Sequence, residues 1–171
     1  MVRPIVAAAA TNNDPIELRL AELGLALPPA QVLPPGMRLT YKRLVREGSL
    51  VFVAGHGPTL GDGWGYLGKV GAEVSFEDGV KAAQLTALNV LATIKRELGG
   101  LNGVRRWLKI QGYVNAIPGF IDQALVVNGF TDLILELYGE DRLGARTSIG
   151  VPDLPFGMPV EVDAVLIWGE A

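Results

Sequence analysis

The stretch SFEDGVKAAQLTALNVLATIKRELGG, residues 75–100, decides the fold of this chain. Ser75 is a residue type that caps the first free amides of a helix, and Gly99-Gly100 is typical of a helix end. Between these signals, apolar residues recur at helical spacing: Val80, Ala83, Ala87, Leu91, Ile94 and Leu98. We therefore expect an amphipathic helix that packs its apolar face against another layer of structure.

The sequence before this helix predicts a β-hairpin and a loop. Residues 39–46 alternate between apolar and polar types, Glu47-Gly48 supplies a turn, and residues 50–54 form a continuous apolar run typical of a buried strand. The glycine-rich residues 55–71 then predict a loop that leads to the helix.

The sequence after the helix completes an α+β domain. We predict a strand at residues 107–115, a helical region at 120–138 that begins with an irregular turn, and two strands at 145–151 and 160–168. The element order is β-β-α-β-α-β-β, which predicts a mixed sheet with two helices covering one face.

The first 36 residues are predicted to be an appendage to a domain spanning residues 37–171. Residues 1–13 have the composition of a disordered tail. Asp14-Pro15 predicts the start of a short amphipathic helix, because Asp caps free amides and Pro is tolerated in the first turn. The prolines between Pro28 and Pro35, with Gly36, separate this helix from the domain.

Composition excludes several classes of function. A net charge of −3 in 171 residues, without a long basic run, disfavours binding to a nucleic-acid backbone. The absence of cysteine excludes disulfides, thiolate metal sites and cysteine nucleophiles, and a single histidine excludes a multi-histidine metal centre. No segment approaches the roughly 20 apolar residues that cross a bilayer, so we expect a soluble, cytoplasmic protein. The 49% apolar content suits a protein that buries surface in an oligomer.

Arg146, in the stretch Gly144-Ala145-Arg146-Thr147-Ser148, is the leading candidate for a binding residue. A guanidinium matches a carboxylate with two parallel hydrogen bonds, so it suits recognition of a small organic acid. Glu161 lies on the next predicted strand, where its carboxylate can position water. The alternative is that Arg146 forms an ordinary surface or structural ion pair.

Other polar residues leave alternatives open. His56 comes directly after the buried strand, where it is either a structural or pocket-lining group or a catalytic acid or base. Asn128 is unfavourable within a helix, which indicates that its amide is used for a hydrogen bond. Ser148 lies in a predicted strand without an identifiable His and Asp pair, so no serine triad is predicted.

Residues 63–70, GWGYLGKV, spell the phosphate-loop pattern except at Val70, which replaces the Ser or Thr that holds magnesium. A phosphate loop joins a strand directly to a helix, whereas this segment is separated from both its neighbours. We therefore expect a flexible or lid-like loop in which Trp64 and Tyr66 shape a pocket or an interface.

Taken together, a set of motifs resembles the Rid family, also called YjgF or endoribonuclease L-PSP proteins, over nearly the whole of residues 37–168. In chain order the motifs are Tyr41 before the turn at Gly48, LVFVAGHGP at residues 50–58, Asn128 in the second long helix, Ala145-Arg146-Thr147-Ser148, Leu154-Pro155, and VEVDA at residues 160–164. The amino-terminal helix and the long glycine-rich loop resemble a longer subgroup of the family.

This resemblance implies a chorismate-mutase-like fold, assembled as a homotrimeric barrel with pockets between subunits. It implies cofactor-independent hydrolysis of enamine or imine intermediates such as 2-aminoacrylate to 2-keto acids and ammonia. Arg146 then holds the substrate carboxylate, Glu161 the hydrolytic water, and Tyr41 contributes a hydroxyl. The predicted site comprises Arg146, Glu161 and Tyr41 as catalytic residues, and Arg146, Asn128, His56, Ser148 and Gly55 as substrate-binding residues, with no metal.

The chain departs from the family pattern at several positions. Ala54 replaces a common serine, His56 stands where glutamine is usual, and Ser148 occupies a position that is cysteine in some members. We therefore expect the pocket to accept a different or larger substrate. Two other functions also stay open, a regulatory trimer that binds carboxylates without turnover and an endoribonuclease.

Overall fold

The computed structural model describes residues 14–33, 35–61 and 63–169. The helices are α1 (Pro15–Glu22), α2 (Phe76–Leu98) and α3 (Gln123–Tyr138). The strands are β1 (Leu44–Glu47), β2 (Leu50–His56), β3 (Thr59–Leu60), β4 (Gly63–Trp64), β5 (Val104–Asn115), β6 (Ala145–Val151) and β7 (Val160–Trp168). Short 3-10 turns occur at Glu140–Arg142 and Pro155–Gly157.

The main sheet has the strand order β1-β2-β7-β5-β6, with β5 and β6 parallel and the other neighbours antiparallel. The long helices α2 and α3 pack together and on one face of this sheet. Side chains that alternate along β7 fill the core between the two layers: Val160, Val162, Ala164 and Leu166. The predicted α+β architecture with two helices on one face is therefore confirmed. We call the other face, which no helix of the described residues covers, the open face.

The helix predicted at residues 75–100 is confirmed with its caps. The Ser75 hydroxyl accepts a hydrogen bond from the Asp78 amide at 3.1 Å. Gly99 adopts the left-handed conformation with φ +88°, and its amide donates to the Lys95 carbonyl. A residue without a side chain suits this conformation, so Gly99 ends the helix where the sequence indicates.

Two expectations about the loops were wrong. Residues 39–43 were expected to belong to the first strand, but β1 begins only at Leu44, and the preceding segment leaves the sheet to line a cleft. The glycine-rich residues 55–71 contain the small β3–β4 hairpin, which is attached to α2 through buried hydrogen bonds between Thr59 and Asn89. Two-residue strands carry no periodicity, so the sequence gives no sign of them.

Helix α1 docks on the body, as its amphipathic pattern predicts. Asp14 accepts from the Ile16 amide at 2.9 Å through one carboxylate oxygen, and from the amides of Leu101 and Asn102 at 2.7 and 2.9 Å through the other. Ile16 and Leu20 are buried in the main core. The tail predicted at residues 1–13 lies outside the described residues, and the boundary after residue 36 stays a prediction. Among the described helices, none has the length and apolar character needed to span a membrane.

Candidate functional site

The predicted site residues lie in two groups on opposite faces of the sheet. Arg146 is in register with Ile110 of β5, which in turn pairs with Ala164 of β7, and both of those are buried beneath the helices. Glu161 is three positions from Ala164 on the same strand, so its side chain points to the open face. Within one chain, Arg146 and Glu161 therefore do not share a pocket.

The first group surrounds Arg146 on the edge strand β6. The guanidinium donates from Nη1 to Asn128 Oδ1 at 2.7 Å and to Thr131 Oγ1 at 2.8 Å, and from Nη2 to the Ala124 carbonyl at 3.2 Å. These partners are all neutral groups of α3. No carboxylate of the described residues forms an ion pair with Arg146. The side chain is thus oriented by neutral groups of its own chain, and no carboxylate in the described part of the chain balances its charge.

Asn128 and Ser148 belong to this first group. The Asn128 amide is used for the hydrogen bond to Arg146, which explains a polar amide at an unfavourable helical position. Ser148 lies two residues after Arg146 on β6 and therefore on the same face of the strand. Its Oγ is buried and has no hydrogen-bond partner among the described residues, which leaves a polar atom available beside Arg146.

The second group lines a cleft of about 310 Å³ at the open face. Tyr41, Gly55 and Glu161 all contribute to its wall. Tyr41 is exposed and comes from the segment before β1, Gly55 lies near the end of β2, and Glu161 is on the neighbouring strand β7. This volume is at the lower end of the range, about 300 to 1,000 Å³, that is typical of small-molecule sites.

The Glu161 carboxyl is half-buried in the wall of this cleft. Burial raises the pKa of the Glu161 carboxyl above its ordinary value, and the negative charge of Asp163 raises it further. The carboxyl lies directly against Gly55, where a Cβ atom would be only 1.9 Å from Glu161 Oε1. Gly55 therefore contributes space, because any side chain at this position would displace the carboxyl group.

His56 lies outside both groups. The pairing of β2 with β7 shifts register between Val53 and His56, and this irregularity turns the imidazole towards α2. Nδ1 donates to the Ala54 carbonyl at 2.6 Å, and Nε2 lies 2.8 Å from the Thr93 hydroxyl. Burial lowers the pKa of His56 to about 4, so the ring is neutral at pH 7. His56 is therefore not among the residues that line the cleft.

Several residues of the cleft carry no sign of this position in the sequence. Arg43 lines the cleft, donates a hydrogen bond to the Gln31 side chain and forms no ion pair with a described carboxylate. Trp64 stacks on Phe156 with ring centroids 4.9 Å apart. Trp64 was expected only to shape a pocket or an interface, and nothing in the sequence indicates that Phe156 is its partner, because the two residues are distant in the chain.

A second cavity, of about 520 Å³, lies at the carboxyl ends of β5 and β6. Lys69 reaches its wall but is engaged by the Asn115 side chain, the Pro152 carbonyl and the Asp153 carboxylate. None of the predicted site residues lines this cavity. The described residues also contain no group of three or more His, Cys, Asp or Glu residues able to hold a metal ion.

Comparison with known proteins agrees with this architecture. Residues 17–162 match the model of the YjgF/chorismate mutase-like endoribonuclease family. Protein TCP17 of Trypanosoma cruzi is 37% identical over 152 residues, which cover 88% of this chain and 92% of that protein.

Solved structures give the same result. Protein Atu1372 of Agrobacterium tumefaciens, described as having unknown function, matches with a TM-score of 0.80 and 36% identity, covering 90% of this chain and 92% of that one. TdcF of E. coli shares the fold at 20% identity, with a TM-score of 0.54 and coverage of 79% of this chain and 93% of that one. The chain therefore belongs to the YjgF/chorismate mutase-like endoribonuclease family, to which the Rid proteins also belong.

Proposed function

We propose that this protein is a cofactor-independent enamine/imine deaminase, which hydrolyses 2-aminoacrylate-like intermediates to 2-keto acids and ammonia. We further propose that it works as a homotrimer in which each active site lies between two subunits. Family membership supports the class of protein, and the two groups of side chains support the chemistry.

The observation that carries the proposal is that the Arg146 guanidinium is bound only by neutral groups among the described residues. A partly buried guanidinium is usually paired with a carboxylate, since an uncompensated charge away from water is unfavourable. Here Asn128 and Thr131 orient the guanidinium at 2.7 and 2.8 Å without neutralising it. An organic carboxylate would supply the missing charge, and the orientation already established would lower the entropic cost of binding it.

The separation of Arg146 from Glu161 favours a site shared between copies. Arg146 is on the edge strand β6, whereas Glu161 opens onto the cleft at the open face. The open face also exposes the apolar residues Val45, Phe52 and Ile149, which suit burial in an interface. If the β6 edge of one copy lies against the open face of the next, Arg146 and Glu161 of different subunits meet at one cleft.

Such a site supports hydrolysis without a metal or a nucleophilic side chain. The enamine first tautomerises to an imine, as one proton leaves the nitrogen and one is added to the terminal carbon. The imine carbon is electrophilic, so a water oxygen adds to it while Glu161 takes a proton from the water. The same carboxyl group returns this proton to the nitrogen, which gives a carbinolamine. Transfer of the hydroxyl proton to the nitrogen, again through Glu161, then breaks the C–N bond and releases ammonia and the 2-keto acid. A raised pKa of Glu161 favours this exchange, because proton transfer is most efficient when the pKa lies closer to the working pH. The TdcF structure, which contains bound serine, illustrates that this fold can hold a small molecule with a carboxylate.

The test is release of pyruvate from 2-aminoacrylate that a serine dehydratase generates in the same cuvette, monitored by NADH consumption with lactate dehydrogenase. We expect the protein to accelerate release, and Arg146→Ala to abolish the acceleration because the carboxylate is no longer held. Arg146→Lys keeps the positive charge but loses the planar guanidinium that donates two parallel hydrogen bonds, so we expect this variant to be largely inactive. Arg105→Ala, at an exposed position outside both groups, is the matched control and should behave like the wild type.

Three other results would contradict the proposal. Binding of pyruvate that depends on Arg146, without any acceleration, would identify a carboxylate-binding regulator. Cleavage of RNA by highly purified protein, lost in Arg146→Ala, would identify an endoribonuclease. Sedimentation at the 18.2 kDa mass of one chain, rather than at three times that mass, would exclude a site shared between subunits.

A further inference from the structure

The cleft that holds Glu161 has an apolar wall on one side. Trp64 of β4 and Phe156 of the turn after β6 stack with ring centroids 4.9 Å apart and an angle of 26° between their planes. Both rings line the cleft, together with the thioethers Met37 and Met158. The smallest enamine acids have almost no side chain to contact such a wall, so the wall indicates a ligand with a larger apolar group.

The backbone of Phe156 adopts a conformation that its residue type disfavours. Its φ of +60° lies in the left-handed region, and it is the only non-glycine residue of the described segments with positive φ. This conformation disfavours residues with a Cβ, and strained positions of this kind concentrate at ligand sites. The next residue, Gly157, is also left-handed, and its carbonyl accepts from the Gly68 amide at 2.8 Å, which attaches the turn to the long loop that carries Trp64.

Arg43 limits the charge of the group that can occupy the cleft. Its guanidinium lines the cleft, and it donates to the neutral Gln31 amide. Arg38 adds a second positive charge to the same wall. These two positive charges outnumber the single carboxylate of the cleft, that of Glu161, so a cationic side chain would lose its hydration in a cleft of net positive charge, which is unfavourable.

We propose that this chain selects 2-imino and 2-keto acids with large apolar or aromatic side chains, and that Trp64 and Phe156 are the residues that set this specificity. The inference rests on the proposed function for the position of the substrate carboxylate at Arg146. With the carboxylate there and the reacting carbon beside Glu161, the remaining part of the substrate extends along the Trp64–Phe156 wall.

The test is isothermal titration of the full-length oligomer with three stable keto acids, pyruvate, phenylpyruvate and the cationic 5-guanidino-2-oxopentanoate. We expect phenylpyruvate to bind at least about tenfold more tightly than pyruvate, the scale on which hydrophobic pockets discriminate. The cationic acid, although long, should bind no better than pyruvate. The same preference should appear in kcat/KM for imines that an amino acid oxidase produces from phenylalanine and alanine.

Two variants examine the wall separately. Trp64→Ala removes one ring, and Phe156→Gly removes the other while relieving the left-handed strain, so the second variant should fold at least as well as the wild type. Each variant should weaken the binding of phenylpyruvate about tenfold or more and leave the binding of pyruvate nearly unchanged. Trp168→Phe, outside the cleft, is the control and should leave both affinities unchanged.

The outcomes separate the two proposals. Equal affinity of the wild type for pyruvate and phenylpyruvate, or an equal loss for both acids in the two wall variants, would overturn the specificity while leaving the carboxylate site intact. Failure of the wild type to bind any of the acids would overturn the carboxylate site and the specificity together. Arg146→Ala should weaken the binding of both acids by a similar factor, because both make the same carboxylate contact.

Discussion

Replacement of Gly55 by alanine tests whether the Glu161 carboxyl must occupy its observed position. The new methyl group would be 1.9 Å from Glu161 Oε1, whereas real contacts of this kind are almost never closer than 3.0 Å. The carboxyl oxygen must therefore retreat by about 1 Å, a displacement that is able to reduce the rate about a hundredfold. We expect kcat/KM for imine hydrolysis in Gly55→Ala to fall by about that factor.

The same substitution should leave the fold nearly as stable as before. The methyl group meets the movable end of a side chain, and alanine restricts the unfolded chain, which contributes about 0.4–1 kcal/mol in favour of folding. We therefore expect the free energy of unfolding in urea to change by less than about 1 kcal/mol. Gly63→Ala is the matched control, because its methyl group would meet no atom within 4 Å, and it should retain full activity.

A double variant makes the test specific to Glu161. If Gly55→Ala acts by moving this carboxyl group, it should cost little further activity once Glu161→Gln has removed the charge. Full activity of Gly55→Ala would refute the reasoning, and so would the same hundredfold loss in both backgrounds. A large fall in unfolding free energy would show instead that the backbone, and not the carboxyl group, had moved.

Two predictions concern stability. Because the pKa of His56 is about 4 in the folded protein and about 6.5 in the unfolded chain, the unfolded chain binds more protons between these values, and stability falls as pH drops through them. The total loss of unfolding free energy is on the order of 3 kcal/mol. Urea unfolding at pH 7.5 and at pH 4 should therefore show a smaller loss of stability in His56→Gln than in the wild type. Equal losses in both proteins would contradict the low pKa of His56. Asp14→Ala should reduce the unfolding free energy by about 1–3 kcal/mol, because the helix cap and two further amide contacts are lost together. Asp122→Ala, at a helix start without a side-chain cap, is its control, and a similar cost for both would show that capping is not the cause.

Long segments with strong periodicity were predicted well. The limits of α2, β6 and β7 agree with those predicted. Helix α2 has helical spacing of its apolar residues between two caps, and β7 begins with clear alternation at residues 160–164. The early start predicted for β1 shows where alternation misleads. Residues 39–43 have the alternation typical of a strand. The same pattern occurs here because every second side chain of this segment lines the cleft.

The candidate site was only partly predictable. The residue types of Arg146 and Glu161 indicate carboxylate binding and positioning of water. Asn128 indicates an amide used for a hydrogen bond, and the structure shows that bond to Arg146. In the sequence, His56 follows the predicted buried strand, a position that is typical of a pocket residue. The register shift in β2 instead directs its side chain towards Thr93. A shift of one residue reverses the face to which a side chain points, and no local pattern indicates it.

The sequence by itself determined the long helices and strands, the α+β class and the chemical types available for a site, because these depend on neighbours within a turn or a strand. Only the tertiary structure decided that β5 lies between β6 and β7, which separates Arg146 from Glu161. It also decided that Trp64 meets Phe156 and that the Glu161 carboxyl rests against Gly55. Such contacts join residues far apart in the chain, so they depend on strand order and register, which local physical chemistry does not specify.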